Sequence, residues 1–206
     1  MNLPSDETIL SLHKKYAPNQ QAFAIVYSHC QIIAEIANQL IEHNHLSLDK
    51  KLIRAAALLH DIGYYPLFDS TGYVPKAQLI THGVVGAEIL KKEGIDGLIC
   101  RIAERHTGTG LTKENILEQN LPLPVRDLVA ETPEEWLVLY VDKLHTKAIQ
   151  VDDPHESLGW FVSPESYIQL AGRFGADNAA RFERLIEKYG TLDLKTLAHK
   201  YNQTLK

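Results

Sequence analysis

Apolar residues recur every three to four positions along most of this chain, which is the period of an amphipathic helix. Between residues 20 and 43, Ala22, Ile25, Val26, Ile32, Ile33, Ile36 and Leu40 share one helical face. Asp49 precedes KKLIRAAALLHDI as an N-cap, and Gly63 ends that run. Residues 64–77 hold two prolines and a glycine and predict a loop. Helices follow over about 78–93, ending at Gly94, and about 96–106, ending in the glycine-bearing HTGTG. Thr112 caps a short helix, TKENILEQ, and 120–132 is a proline-rich connection. Thr132-Pro133-Glu134-Glu135 is a capping box that opens a helix to about residue 149. After a loop over 150–162, Ser163-Pro164-Glu165 starts another helix, and two more fill about 176–189 and 193–205. No run of alternating β-branched residues stands out, so the expected class is all-α, a bundle of about seven to nine helices.

Composition narrows this picture. The 206 residues are 45% hydrophobic and 23% charged, as expected of one globular domain with its own core. Residues 163–206 read as accessory helices beside a main body over about 20–150. The 21 basic and 26 acidic residues give a net charge of −5, which argues against a large nucleic acid as partner. Cys30 and Cys100 form no Cys-x-x-Cys pair, MNLPSDETIL has no leader-like character, and no apolar run reaches ~18 residues. A cytoplasmic setting without a membrane is therefore expected, with a homodimer as the default assembly.

The ten histidines carry the chemistry. His29 shares the face of Ala22, Ile25 and Ile36; His60 follows Ile53 and Ala56; His82 shares a face with Val85 and Ile89; His106 follows Ile99 and Ile102. Asp142 lies on the stripe of Val138 and Leu139, and Asp61 follows His60. An isolated inward histidine is ordinary, but a buried carboxylate needs a cation or strong donors. Four inward histidines and two carboxylates from five helices are satisfied together by a shared metal site. Imidazole and carboxylate suit Fe, Mn, Zn, Co or Ni. Six ligands exceed the need of one open catalytic metal and suit two divalent ions in a bundle core.

His29, His60-Asp61 and Asp142 resemble the H…HD…D signature of the HD superfamily of metal-dependent phosphohydrolases. The string HDIG over 60–63 is its most specific part. HGVVGAEIL over 82–90 is similar to the H-x-x-x-G-A-E-x-L helix of di-metal members, Arg105-His106-Thr107-Gly108 to their second downstream histidine, and Val141-Asp142-Lys143-Leu144 to their A-D-K-L helix. The resemblance implies that Asp61 bridges two metals and acts in catalysis, that His29, His60 and Asp142 complete one site, and that His82 and His106 bind the second metal. It implies a metal-activated water as nucleophile and a small phosphorylated substrate, a nucleotide first. Lys143 is a candidate phosphate and catalytic contact, with Tyr64, Thr107 and Gly108 as candidate substrate contacts.

The chain also departs from the family. Tyr64 stands where many HDIG members carry Lys, and Arg105-His106 where cyclic-dinucleotide members carry His-His. The GYP signature is absent, which disfavours cyclic di-GMP cleavage. HTGTG resembles the His-Thr-Thr-Gly of diadenosine tetraphosphate hydrolases in the same superfamily. Two alternatives keep the fold, a di-iron oxygenase on the same ligand set and a non-catalytic nucleotide sensor. Arg54, His43, His45 and Cys30 read as surface or packing residues, the Asp152-Asp153-Pro154-His155 run as a polar loop, and Glu134-Glu135 as helix capping.

Overall fold

The computed structural model describes residues 3–70, 72–147 and 158–206, and the Asp152–His155 run lies outside them. Among the described residues are eleven α-helices, one 3-10 helix and a two-stranded sheet. The order is α1 (Asp6–Tyr16), α2 (Gln20–His43), α3 (Lys50–Leu59), the 3-10 helix Ile62–Leu67, α4 (Lys76–Leu79), α5 (His82–Lys92), α6 (Gly97–Arg105), α7 (Lys113–Glu118) and α8 (Pro133–Asp142). Then come β1 (His145–Lys147), β2 (Gly159–Phe161), α9 (Pro164–Gly172), α10 (Ala176–Tyr189) and α11 (Leu194–Lys200). No described helix is long and apolar enough to cross a membrane.

The all-α class is the observed one, with two helices beyond the expected seven to nine. α1 is capped by Ser5 and buries only Ile9, Leu12 and His13, so its apolar signal is weak. α4 is a single turn across the end of the expected loop and the start of the helix expected over about 78–93, and the helix proper begins only at His82. The rest of that loop is also more ordered than expected, because Ile62–Leu67 winds as a 3-10 helix with buried Tyr64 and Tyr65. The helix expected to reach residue 149 stops at Asp142, and the chain turns into β1. Period-2 geometry over three residues is too short to register against the apolar stripe that precedes it.

Local chemistry sets the helix starts. Asn19 accepts from the Ala22 amide at 2.8 Å, Asp49 from the Leu52 amide at 3.0 Å, and Thr132 and Glu135 close a reciprocal capping box. α2 lies on α3 and α8, α3 and α8 also meet α6, and α5 lies against α6 and the 3-10 helix. Ile33, Ile36 and Leu40 of α2, Ala56 and Leu59 of α3, Ile99 of α6 and Leu137–Val141 of α8 form the buried centre. α9 and α10 add a second layer through α8. The last residues return to β2, where the Phe161 amide donates to Thr204 O at 2.8 Å and the Lys206 amide to Phe161 O at 2.9 Å.

α1 is fastened to this core by His13, which is buried. Its Nε2–H donates to Leu58 O at 2.7 Å, and its Nδ1 accepts from the Tyr65 hydroxyl at 2.7 Å. Burial lowers its pKa to about 4. As pH falls the unfolded chain takes up this proton first, so the stability that neutral His13 supplies is lost between about pH 6.5 and 4. His13→Gln keeps a donor for Leu58 O. It is expected to reduce the loss of stability between pH 7 and 5 by about 2 kcal/mol, read by urea denaturation at both pH values. An unchanged pH dependence contradicts this assignment.

Candidate metal centre

Three of the four histidines are set by helix ends. His60 and His106 are the C-caps of α3 and α6, where the final carbonyls lack helical partners. Each ring turns back on the free carbonyl three residues earlier: His60 Nδ1–H donates to Ala57 O and His106 Nδ1–H to Ala103 O, both at 2.7 Å. His82 opens α5 and donates to Leu79 O, the end of α4, at 2.5 Å. These bonds place the proton on Nδ1 and leave each Nε2 lone pair facing inward.

The inward atoms fall into two sets. His29, His60, Asp61 and Asp142 bring one donor atom each within 4.8 Å of one another, and so do Asp61, His82 and His106. Asp61 belongs to both. Its Oδ2 lies 3.2 Å from His29 Nε2 and 3.3 Å from His60 Nε2. Its Oδ1 lies 3.5 Å from His82 Nε2 and 3.4 Å from His106 Nε2. Asp142 Oδ1 completes the first set, 2.9 Å from His29 Nε2 and 3.2 Å from His60 Nε2.

The donor chemistry fits metal ions. Asp61 Oδ1 is buried with no hydrogen-bond partner among the described residues. His82 and His106 present their Nε2 atoms to each other at 2.8 Å although both protons sit on Nδ1. Facing lone pairs beside an unpartnered carboxylate oxygen are costly unless a cation lies among them. The protonation states of the second set suit such a cation, whereas in the first set burial is outweighed by Asp61, which raises the His60 pKa well above the ordinary imidazole value, so an ion bound there takes the place of a proton on His60. Burial and the nearby His106 lower the His82 pKa to about 3, and burial also lowers that of His106. Burial alone raises both carboxylates, but His60 and Lys147 hold Asp61 well below the usual range, and Lys143 does the same for Asp142. Neutral imidazoles and ionised carboxylates are the forms that bind metals.

A family model described as the HD domain matches residues 26–147, a span that contains all six donors. This chain belongs to the HD domain family. A tRNA (cytidine(56)-2′-O)-methyltransferase of Picrophilus torridus is 37% identical over 142 residues, covering 69% of this chain and 36% of that protein. An uncharacterized protein of Methanocaldococcus jannaschii is 40% identical over 133 residues, 62% of this chain and 72% of its relative. The HD domain of the L. monocytogenes phosphodiesterase PgpH superposes with a TM-score of 0.50 at 19% identity, covering 95% of this chain and 100% of that one, and so shares the fold. The chain thus spans about a third of the methyltransferase and most of the second relative.

Around the HD cluster, the other expected residues are placed as follows. Lys143 Nζ donates to Asp142 Oδ2 at 2.5 Å and His106 O at 2.9 Å, so it is tied to the cluster itself. Tyr64 is buried and stacks on His82 with ring centroids 4.2 Å apart. Thr107 and Gly108 line the open pocket over the cluster, a cavity of about 560 Å³. Arg54 pairs with Asp6 on the surface, and Glu135 completes its capping box and pairs with Arg101. His43 and His45 are exposed, and Cys30 is buried with Sγ 4.0 Å from His60 Nδ1.

Three further residues at the cluster, Lys147, His145 and Gln203, carry no signal in the helical pattern of the sequence. Residues two apart on a strand share a face, so β1 aims both His145 and Lys147 at the cluster. Lys147 Nζ pairs with Asp61 Oδ2 and lies 4.7 Å from the centre of the Tyr64 ring. Burial alone disfavours its charge, yet Asp61 raises its pKa above the ordinary lysine value. Gln203 Oε1 accepts from His145 Nε2–H at 2.8 Å, leaving His145 Nδ1 to accept from His29 Nδ1–H, also at 2.8 Å. Burial and the neighbouring His29 hold His145 well below the usual imidazole range, so it stays neutral at pH 7. The chain of two bonds from the C-terminal tail fixes the His29 tautomer with its Nε2 lone pair inward. His145→Phe is expected to weaken metal affinity about 10- to 100-fold, and Gln203→Leu less, in titrations against a competing chelator. Wild-type affinity in both variants contradicts this role.

Proposed function

We propose that this HD domain is a metal-dependent phosphohydrolase that cleaves a phosphoester or phosphoanhydride of a small phosphorylated metabolite, a nucleotide. The observation that carries the reading is the sharing of Asp61 between two buried donor sets. His29, His60 and Asp142 would hold one divalent ion with Asp61 Oδ2, and His82 and His106 the other with Asp61 Oδ1. When bound, such a pair supplies a water nucleophile and holds a phosphoryl oxygen. The chain's own residues supply the rest. Asp61 and Asp142 balance metal charge. Lys143 and Lys147 place two ammonium groups beside the cluster, where phosphoryl charge develops. No side-chain nucleophile is needed. The solved PgpH HD domain bound to cyclic-di-AMP supports a phosphodiester as one substrate to test.

The test is hydrolysis by protein reconstituted with Mn, Fe, Zn, Co or Ni, on a panel of nucleoside mono-, di- and triphosphates, dinucleoside polyphosphates and cyclic dinucleotides. Turnover of one class, with loss on chelation, is the expected result. No turnover with any metal overturns the reading, and oxygen consumption by the iron-loaded protein would then favour the oxygenase alternative. The relatives named tRNA methyltransferases favour a second reading, in which the HD unit accompanies RNA modification. Tight tRNA binding at physiological salt without hydrolysis would support it.

A further inference from the structure

A second cavity of about 500 Å³ adjoins the pocket over the donor cluster, and the two share Gly108, Tyr167 and Leu170 as walls. Both volumes lie within the range of small-molecule sites, and a cleft between helices is a usual place for one. The cluster pocket is polar at its floor. The second cavity is mostly apolar, lined by Ile80, Leu111 and Leu121, by Leu170 of α9 and by Phe174 just beyond that helix. Leu170 and Phe174 are 43% and 66% exposed, large apolar groups open to solvent.

The same cavity carries amides. Asn178 is already engaged, accepting from Thr109 Oγ1 at 2.7 Å and donating to Phe174 O at 2.9 Å. Asn115 Oδ1 accepts from the Thr112 amide at 3.2 Å, which leaves its NH₂ group to donate, and Gln119 stands one turn further along α7. An alkyl chain would leave these amides unmatched, and a second phosphate would leave the apolar walls without contact. A flat heterocycle matches both, with faces for the aliphatic and aromatic walls and edges for the amides.

We infer that this cavity holds the nucleoside end of the substrate whose phosphoryl group lies at the donor cluster. The inference rests on the phosphohydrolase reading and deepens it, because it makes the base, held by α4, α7 and α9, the specificity determinant. Because Gly108, Tyr167 and Leu170 line both cavities, a ligand reaching from the cluster to the base would pass beside them.

The experiment uses the metal-loaded protein of residues 1–206 and non-hydrolysable probes. Methylenediphosphonate carries the phosphate mimic alone. The α,β-methylene diphosphates of adenosine, guanosine, cytidine and uridine carry it with a nucleoside. Calorimetric titration is expected to show at least one nucleoside form binding about 10-fold or more tighter than methylenediphosphonate. Ala77→Trp, at an exposed position lining the cavity, should abolish that advantage without changing methylenediphosphonate affinity. Phe174→Ala, at a mostly exposed position, should reduce the advantage several-fold. Equal affinity for all five probes, or an advantage that survives Ala77→Trp, overturns the inference while leaving the phosphohydrolase reading in place. A homodimer that buries Phe174 in solution also overturns it. Failure of methylenediphosphonate itself to bind overturns both.

Discussion

Asp61→Asn is expected to remove both metal ions at once and to lower hydrolysis on the order of 1000-fold. Asp61 is the only residue common to the two donor sets, and its two oxygens point to different pairs of histidines. Asparagine keeps the shape but loses one anionic oxygen and the charge that holds the imidazoles and ions together. The same change leaves the buried Lys147 ammonium without its counter-ion. A fall in stability of about 3 kcal/mol therefore accompanies the functional loss. Metal content by elemental analysis and melting temperature report the two effects separately. A variant that retains one ion at full occupancy contradicts the bridging role.

Gly63→Ala is expected to cost about 3 kcal/mol or more and to lower the melting temperature by about 6–12 °C. A Cβ on Gly63 would stand 2.0 Å from His82 O and 2.3 Å from the Gly86 amide nitrogen, both backbone atoms that no side-chain rotation can clear. The closest approach of the 3-10 helix to α5 is thus made at the glycine of HDIG and at Gly86 of HGVVG. Relief requires α5 to move, and α5 carries His82. The variant should therefore lose metal from the His82–His106 set before the other set. A melting temperature within 2 °C of the wild type contradicts the packing argument.

The sequence reveals the helical part of this architecture because its signals are long. Twenty-four residues of α2 keep one apolar face, and α3 and α8 start at side-chain caps that can be read directly. The six donors were legible for a related reason: each is an ionisable group where its helix turns an apolar side inward, and all six converge in the structure. Their hydrogen-bonded tautomers were not legible, since they depend on which carbonyls the helix ends leave free. His145 and Lys147 were hidden by reading a helix through to residue 149, where the chain in fact leaves α8 for a three-residue strand. Gln203 carries no pattern at all. It reaches His145 only because the tail pairs with β2, a contact between residues 58 apart in the chain. Lys143 is a phosphate candidate by its place after Asp142, but its ammonium is held by Asp142 and the His106 carbonyl, so any phosphate contact would share it with the cluster.

Asp61, one buried aspartate, would hold the two metal sites together. That role is tested most directly by the metal content of the protein, purified without oxygen or chelator and measured by elemental analysis against protein concentration. Two equivalents of divalent transition metal per chain are expected. One equivalent would contradict the dinuclear arrangement, and none, after reconstitution with each candidate metal, would contradict the metal centre itself.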